Sequence, residues 1–188
     1  MHRRASKSIM EEKTAVPSQH KRNLKQQYNC AILTISTSKY WKRARGENDP
    51  DDRSGEIAQE LAHQHGHAVV YYEVVPDDET QIGDGIARAL RSDADFIITT
   101  GGTGLTTHDI TIEVVGHLLK KEITGFGELF RLKSYEEIGT AAVLSRALAG
   151  VIDQKVIFCL PGSPNAVELA LREIVLPELA HILKHVRE

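Results

Sequence analysis

The chain of 188 residues contains only two cysteines, Cys30 and Cys159, and they do not form a Cys-x-x-Cys pair. Each lies inside a short apolar run, so they read as buried thiols of a reducing compartment rather than as a disulfide or a metal site. No run of about eighteen apolar residues is present, which argues against a membrane-spanning helix. The N-terminal segment also lacks the apolar stretch of an export signal, and a cytoplasmic location is expected. A nucleophile elbow and the Gly-Lys-Ser/Thr ending of a P-loop are both missing. Gly102-Thr103-Gly104-Leu105-Thr106-Thr107 lacks the last glycine of a dinucleotide fingerprint. His63, His65 and His67 are spaced by two, but no carboxylate or cysteine completes a recognisable zinc set. His63 and His65 instead suit the C-terminus of a helix, where their charge opposes the helix dipole.

Formal charge is nearly balanced at −3, but it is unevenly distributed. Residues 1–28 hold seven Lys/Arg against Glu11 and Glu12, a net of +5, which leaves −8 on the remainder. An acidic body argues against a nucleic-acid-binding core. Residues 1–27 are polar, basic and without period, and read as a disordered or arm-like extension. Residues 28–188, with 41% apolar residues over the whole chain, suffice for one domain.

The most informative stretch is Thr99-Thr100-Gly101-Gly102-Thr103-Gly104, with Asp109 five residues on. It follows the apolar run Phe96-Ile97-Ile98 and precedes a helical period, so it reads as a turn from a parallel strand into a helix. Such turns lie at the carboxyl ends of open α/β sheets, where ligands bind. Glycines let backbone N–H groups approach an anion, and hydroxyls of Thr99, Thr100 and Thr103 add donors. Pro161-Gly162-Ser163-Pro164 repeats the pattern after Val156–Leu160, with Ser163 as helix cap and Pro164 at the first helical position.

Alternating strand and helix signals predict a three-layer α/β/α sandwich with a largely parallel sheet. Strands are expected over 29–36, 67–75, 95–98 and 156–160, and helices over 54–65 with Ser54 as cap, 79–91, 110–120 with Lys120-Lys121 closing it, and about 164–185, the last with a break near Pro177. Thr37 to Asp52 reads as a long loop, functional or mobile, Gly125-Phe126-Gly127 as a hinged turn, and 128–134 and 135–148 as two helical pieces. Asp78 with Gln81 suits a capping box, which leaves Asp77 at a strand end without that duty. Asp109 itself is open to a plain capping role.

Glycine loops for anions, with the hard carboxylates Asp77 and Asp109 on the same rim and Asp52 and Asp78 as further candidates, are how Mg²⁺-nucleotide is held. Phosphoryl or nucleotidyl transfer is the reaction class that follows. A phosphate acceptor is already anionic near neutral pH, so no general base is required.

Thr-Thr-Gly-Gly-Thr-Gly…Asp109-Ile-Thr111, Gly125-Phe126-Gly127-Glu128, Ser145-Arg146-Ala147 and Leu160-Pro161-Gly162-Ser163-Pro164 together resemble the MoaB/Mog family of molybdenum-cofactor biosynthesis. Tyr135-Glu136-Glu137-Ile138-Gly139-Thr140 looks closer to the MoaB branch. The resemblance implies a molybdopterin-binding fold and Mg-ATP-dependent adenylylation of molybdopterin with release of pyrophosphate. It implies Asp77 and Asp109 as the catalytic, Mg²⁺-holding acids and Thr100, Gly101, Gly102, Thr103 and Gly104 as the phosphate cradle. Asp52, Ser54 and Gly55, with Pro161, Gly162 and Ser163, would line the pterin side, and a homotrimer or hexamer is implied. Two alternatives stay open: a non-catalytic molybdopterin carrier, and a nucleotide pyrophosphatase resembling the competence-damage proteins.

Overall fold

The computed structural model describes residues 27–47 and 52–188. The expected basic extension and Asn48-Asp49-Pro50 lie outside them. Six strands form one sheet in the order β2-β1-β3-β6-β5-β4. These are β1 (Asn29–Ile35), β2 (Ala68–Val75), β3 (Phe96–Thr100), β4 (Lys121–Glu122), β5 (Leu148–Ile152) and β6 (Lys155–Leu160). The first four in spatial order run parallel, and the β6-β5-β4 edge is antiparallel.

Strand side chains alternate faces, and both faces are covered. Cys30, Ile32, Phe96, Ile98 and Phe158 pack with α2 (Arg53–Gln64), α5 (Thr124–Ile138), α6 (Pro164–Ala170) and α7 (Leu176–Arg187). Ala31, Leu33, Ile97, Ile157 and Cys159 pack with α3 (Glu79–Arg91) and α4 (Thr111–Leu118). This is the expected three-layer sandwich, and both cysteines are buried free thiols. Among the described residues, no helix is long and apolar enough to cross a membrane.

Several local expectations give way. Thr37–Ala44 is a helix, α1, where a loop was expected. It buries no side chain, so it has no apolar stripe to signal it, and polar anchors hold it instead. Asp52, not Ser54, caps α2 and accepts from the Gly55 N–H. Lys121 leaves the end of α4 to begin β4. Gly125 and Gly127 lie within α5, and at Gly127 a Cβ would stand 3.0 Å from the Ala147 carbonyl oxygen, so glycine there permits a close approach of helix and chain. Residues 139–144 form a 3₁₀ segment, and Leu148–Ile152 is a strand whose Leu148 and Ile152 happen to share the helical i, i+4 spacing. Its turn into β6 passes through Asp153 at φ 54°. Near Pro177 the last helix widens into a π turn over Leu171–Val175, as a proline without an N–H favours.

Candidate functional site

Register makes the site. Thr34 pairs with Thr100, and Thr100 with Leu160, so β1, β3 and β6 end level and their following turns adjoin. Gly101 N–H donates to the Leu160 carbonyl at 3.0 Å, and a Cβ on Gly162 would lie 3.2 Å from Gly101 Cα. Gly101 and Gly102 have φ of 99° and 62°, and a Cβ on Gly101 would overlap the Ile35 carbonyl oxygen. Only glycine fits there without strain.

Gly101–Gly104 and Pro161–Ser163 thus face one cleft of about 410 Å³. Ser163 caps α6, accepting from the Ala166 N–H at 3.3 Å, with Pro164 next, as its sequence indicated. Ser54 reaches the same loop from behind: its hydroxyl donates to the Gly162 carbonyl at 2.6 Å. Asp52 and Gly55 sit deeper. Asp52 is buried and accepts from Thr34 at 2.6 Å and from the Tyr72 hydroxyl. A Cβ on Gly55 would overlap the Asp52 carboxylate. Burial, and then the bond to Asp52, push the Tyr72 phenol up to about 12, so it stays a donor across the physiological range. Thr100 is buried behind Gly101, and its hydroxyl has no partner among the described residues.

The two candidate acids flank the same turn without sharing a pocket. Asp109 lies in the cleft; it does not cap α4, whose cap, Ile110, makes no side-chain bond. Its Oδ2 turns back to accept from the Thr106 N–H at 2.9 Å and hydroxyl at 2.6 Å. The Thr106 hydroxyl chiefly holds the Asp109 carboxyl below its usual range, with help from backbone N–H groups and the Arg146 charge. Asp77 stands on the other flank, its Oδ1 3.2 Å from where a Gly102 Cβ would be. Its Oδ2 accepts from the Thr37 N–H and hydroxyl, both at 2.8 Å. Asp78 takes the capping duty on α3, accepting from Gln81 N–H at 2.9 Å.

Sequence reasoning did not place Arg146 in the site. It lines the cleft, Nη2 donates to both Glu113 oxygens at 2.7 and 2.9 Å, and its buried Nε has no partner among the described residues. A clamped guanidinium with an unused donor is a ready phosphate contact. The available signal was one arginine between two small residues, Ser145 and Ala147. Thr37, the anchor of Asp77, was hidden in the stretch read as a loop.

An open α/β sheet whose adjacent parallel strands end in two facing glycine turns, with a carboxylate and an arginine lining the same cleft, is the arrangement by which doubly wound proteins hold phosphoryl ligands. The family model described as a probable molybdopterin binding domain matches residues 31–181, and the chain belongs to that family. It is 45% identical over 167 residues to molybdenum cofactor biosynthesis protein B of Bacillus anthracis, spanning 88% of this chain and 94% of that protein. It is 46% identical over 175 residues to a molybdopterin adenylyltransferase of Pyrococcus furiosus, spanning 90% and 98%. The crystal structure of the tungsten cofactor synthesizing protein MoaB from Pyrococcus furiosus superposes with a TM-score of 0.77 at 45% identity, covering 87% of this chain and 99% of that one.

Proposed function

We propose that this protein transfers the adenylyl group of ATP to the terminal phosphate of molybdopterin, releasing pyrophosphate. The observation that carries the reading is the pair of glycine turns facing one cleft. Two turns suit two phosphoryl groups brought together, and a carrier would need only one.

In the reaction a phosphate oxygen of the pterin bonds to the α-phosphorus of ATP, the bond to the bridging oxygen breaks, and pyrophosphate departs with the electron pair. Backbone N–H groups of Gly102 and Thr103 on one turn and of Gly162 and Ser163 on the other, free among the described residues, hold the two phosphoryl groups in line. Arg146, held by Glu113 at the cleft, brings its guanidinium charge to the phosphoryl oxygens. Ser54 keeps the Gly162 carbonyl turned away from those oxygens. The donors at Asp77 and Asp109 are hard oxygens flanking one turn, and among the described residues no group of three ligating side chains surrounds them. This suits Mg²⁺, which takes one or two carboxylates and completes its shell with water and substrate phosphates. Asp109, which lies in the cleft, or Asp77 on the other flank would each supply one carboxylate ligand to such an ion, and when bound it neutralises phosphate charge.

The active form is a homo-oligomer, trimer or hexamer, in the cytoplasm. Leu132, Tyr135, Ile138, Val143 and Leu144, on α5 and the 3₁₀ segment, are 55–81% exposed, Ile138 and Leu144 at the cleft's border, and this apolar surface suits a second copy.

The test is to measure turnover and pterin affinity for the wild type, Asp77→Ala and Asp109→Ala. An adenylyltransferase loses turnover in each variant and keeps pterin affinity within about threefold. Wild-type protein that binds pterin yet releases no pyrophosphate with Mg-ATP is a carrier, and the proposal fails.

A further inference from the structure

The last helix carries a second cluster of ligating groups that the cleft chemistry does not use. His181 and His185 are one turn apart on α7, side chains half exposed, with Nε2 atoms 3.0 Å from each other. Each ring turns its other nitrogen to a carboxylate: His181 Nδ1 lies 3.4 Å from Glu178, and His185 Nδ1 3.4 Å from Glu188. A carboxylate at Nδ1 draws the ring proton to that side, which leaves the Nε2 lone pair free. When both rings are so turned, the two lone pairs lie 3.0 Å apart on rings inclined at 64° with centroids 4.7 Å apart, so they meet beside the N–N line, where one electron-pair acceptor serves both.

We propose that His181 and His185 bind one divalent transition-metal ion per chain through their Nε2 atoms. Two nitrogens at about 2.1 Å on neighbouring positions of a square or octahedral ion stand about 3.0 Å apart, the separation seen here. Imidazole favours Cu²⁺, Ni²⁺ and Zn²⁺ over Mg²⁺, with Cu²⁺ held most tightly. Glu178 and Glu188 are the outer carboxylates that fix the rings, and Lys184, 3.5 Å from Glu188, steadies the second of them. Water completes the ion's shell.

This site is remote from the cleft. Arg187, two residues after His185, pairs with Asp95 at 2.5 Å, and Asp95 immediately precedes β3. That places the end of α7 at the amino-terminal edge of the sheet, opposite the edge where the glycine turns lie. The ion therefore does not serve as the carboxylate-held metal of the reaction, and the proposal stands independently of the adenylylation reading.

The experiment is calorimetric titration of the full chain, dialysed free of metal, with NiCl₂ and with CuCl₂, joined to electron paramagnetic resonance of the Cu²⁺ form. The wild type is expected to take one ion per chain with nitrogen hyperfine coupling. His181→Ala and His185→Ala each weaken binding about 100-fold, because one imidazole loses the chelate partner. Glu188→Gln, which keeps both imidazoles, weakens it about tenfold. All variants keep the wild-type far-UV circular dichroism, since both histidines are exposed. Binding unchanged in the double variant would move the metal to the other histidines and overturn the proposal. So would absence of binding to the wild type, which would leave the pair as an N–H···N hydrogen bond.

Discussion

Gly102→Ala tests why the phosphate turn has the shape it has. The new Cβ would overlap Thr111 Oγ1, which is fully buried at the start of α4 and has no hydrogen-bond partner among the described residues. It would also sit 3.2 Å from Asp77 Oδ1 and from Ile35 Cγ2. Alanine at φ 62° costs about 1 kcal/mol relative to glycine. Overlap in a packed site adds about 1–3 kcal/mol, for a total of about 2–4 kcal/mol. In a chain of this size that lowers Tm by about 4–16 °C. Thr111→Ala alone removes a buried methyl and an unpaired hydroxyl and costs about 1 kcal/mol. In the double variant the overlap disappears while the φ cost stays, so the two changes are non-additive by about 1–3 kcal/mol. Thermal and urea unfolding of the four proteins, at one fixed chain concentration because assembly contributes to stability, measure this coupling. Additivity within about 0.5 kcal/mol would refute the steric account.

Tyr72→Phe removes one donor from buried Asp52 and is expected to cost about 1.5–3 kcal/mol in urea unfolding, and less in an Asp52→Ala background, where the bond from Arg43 is still broken but no buried carboxylate loses a donor. Asp109 has a lowered carboxyl value in the fold, so its stabilising contribution is present above the ordinary carboxylate range and is lost as pH falls through the folded value. The Tm gap between wild type and Asp109→Asn should therefore narrow as the solution is acidified below about pH 4. Val143→Asp with Leu144→Asp places charges on the exposed α5 and 3₁₀ patch, and sedimentation should then find a smaller assembly than the wild type.

What the sequence reveals and conceals follows from where the signal resides. β1, β3 and β6 are legible because strands buried on both faces are continuous apolar runs, and the two glycine turns stand out against them. Ser163-Pro164 and Asp78 are read correctly as caps because capping is local chemistry. α1 is concealed because its anchors, Thr37 to Asp77 and Arg43 to Tyr72, join residues forty and twenty-nine positions apart. Gly127 misleads for the opposite reason: its meaning is a close approach to Ala147, twenty residues on, and in isolation it resembles a hinge. Ser54 and Asp52 exchange expected roles since only the fold brings Gly162 to Ser54. Arg146 joins the site through Glu113, a partner that no motif around Ser145-Arg146-Ala147 announces.

The most direct measurement follows the phosphorus atoms of ATP. The protein is incubated with molybdopterin, Mg²⁺ and ATP labelled at either the α or the γ position. The account predicts that the α label co-migrates with the pterin and the γ label appears as pyrophosphate, in equal molar amounts. Pterin that stays bound while both labels remain in ATP, or γ label released as orthophosphate with ADP, would contradict it.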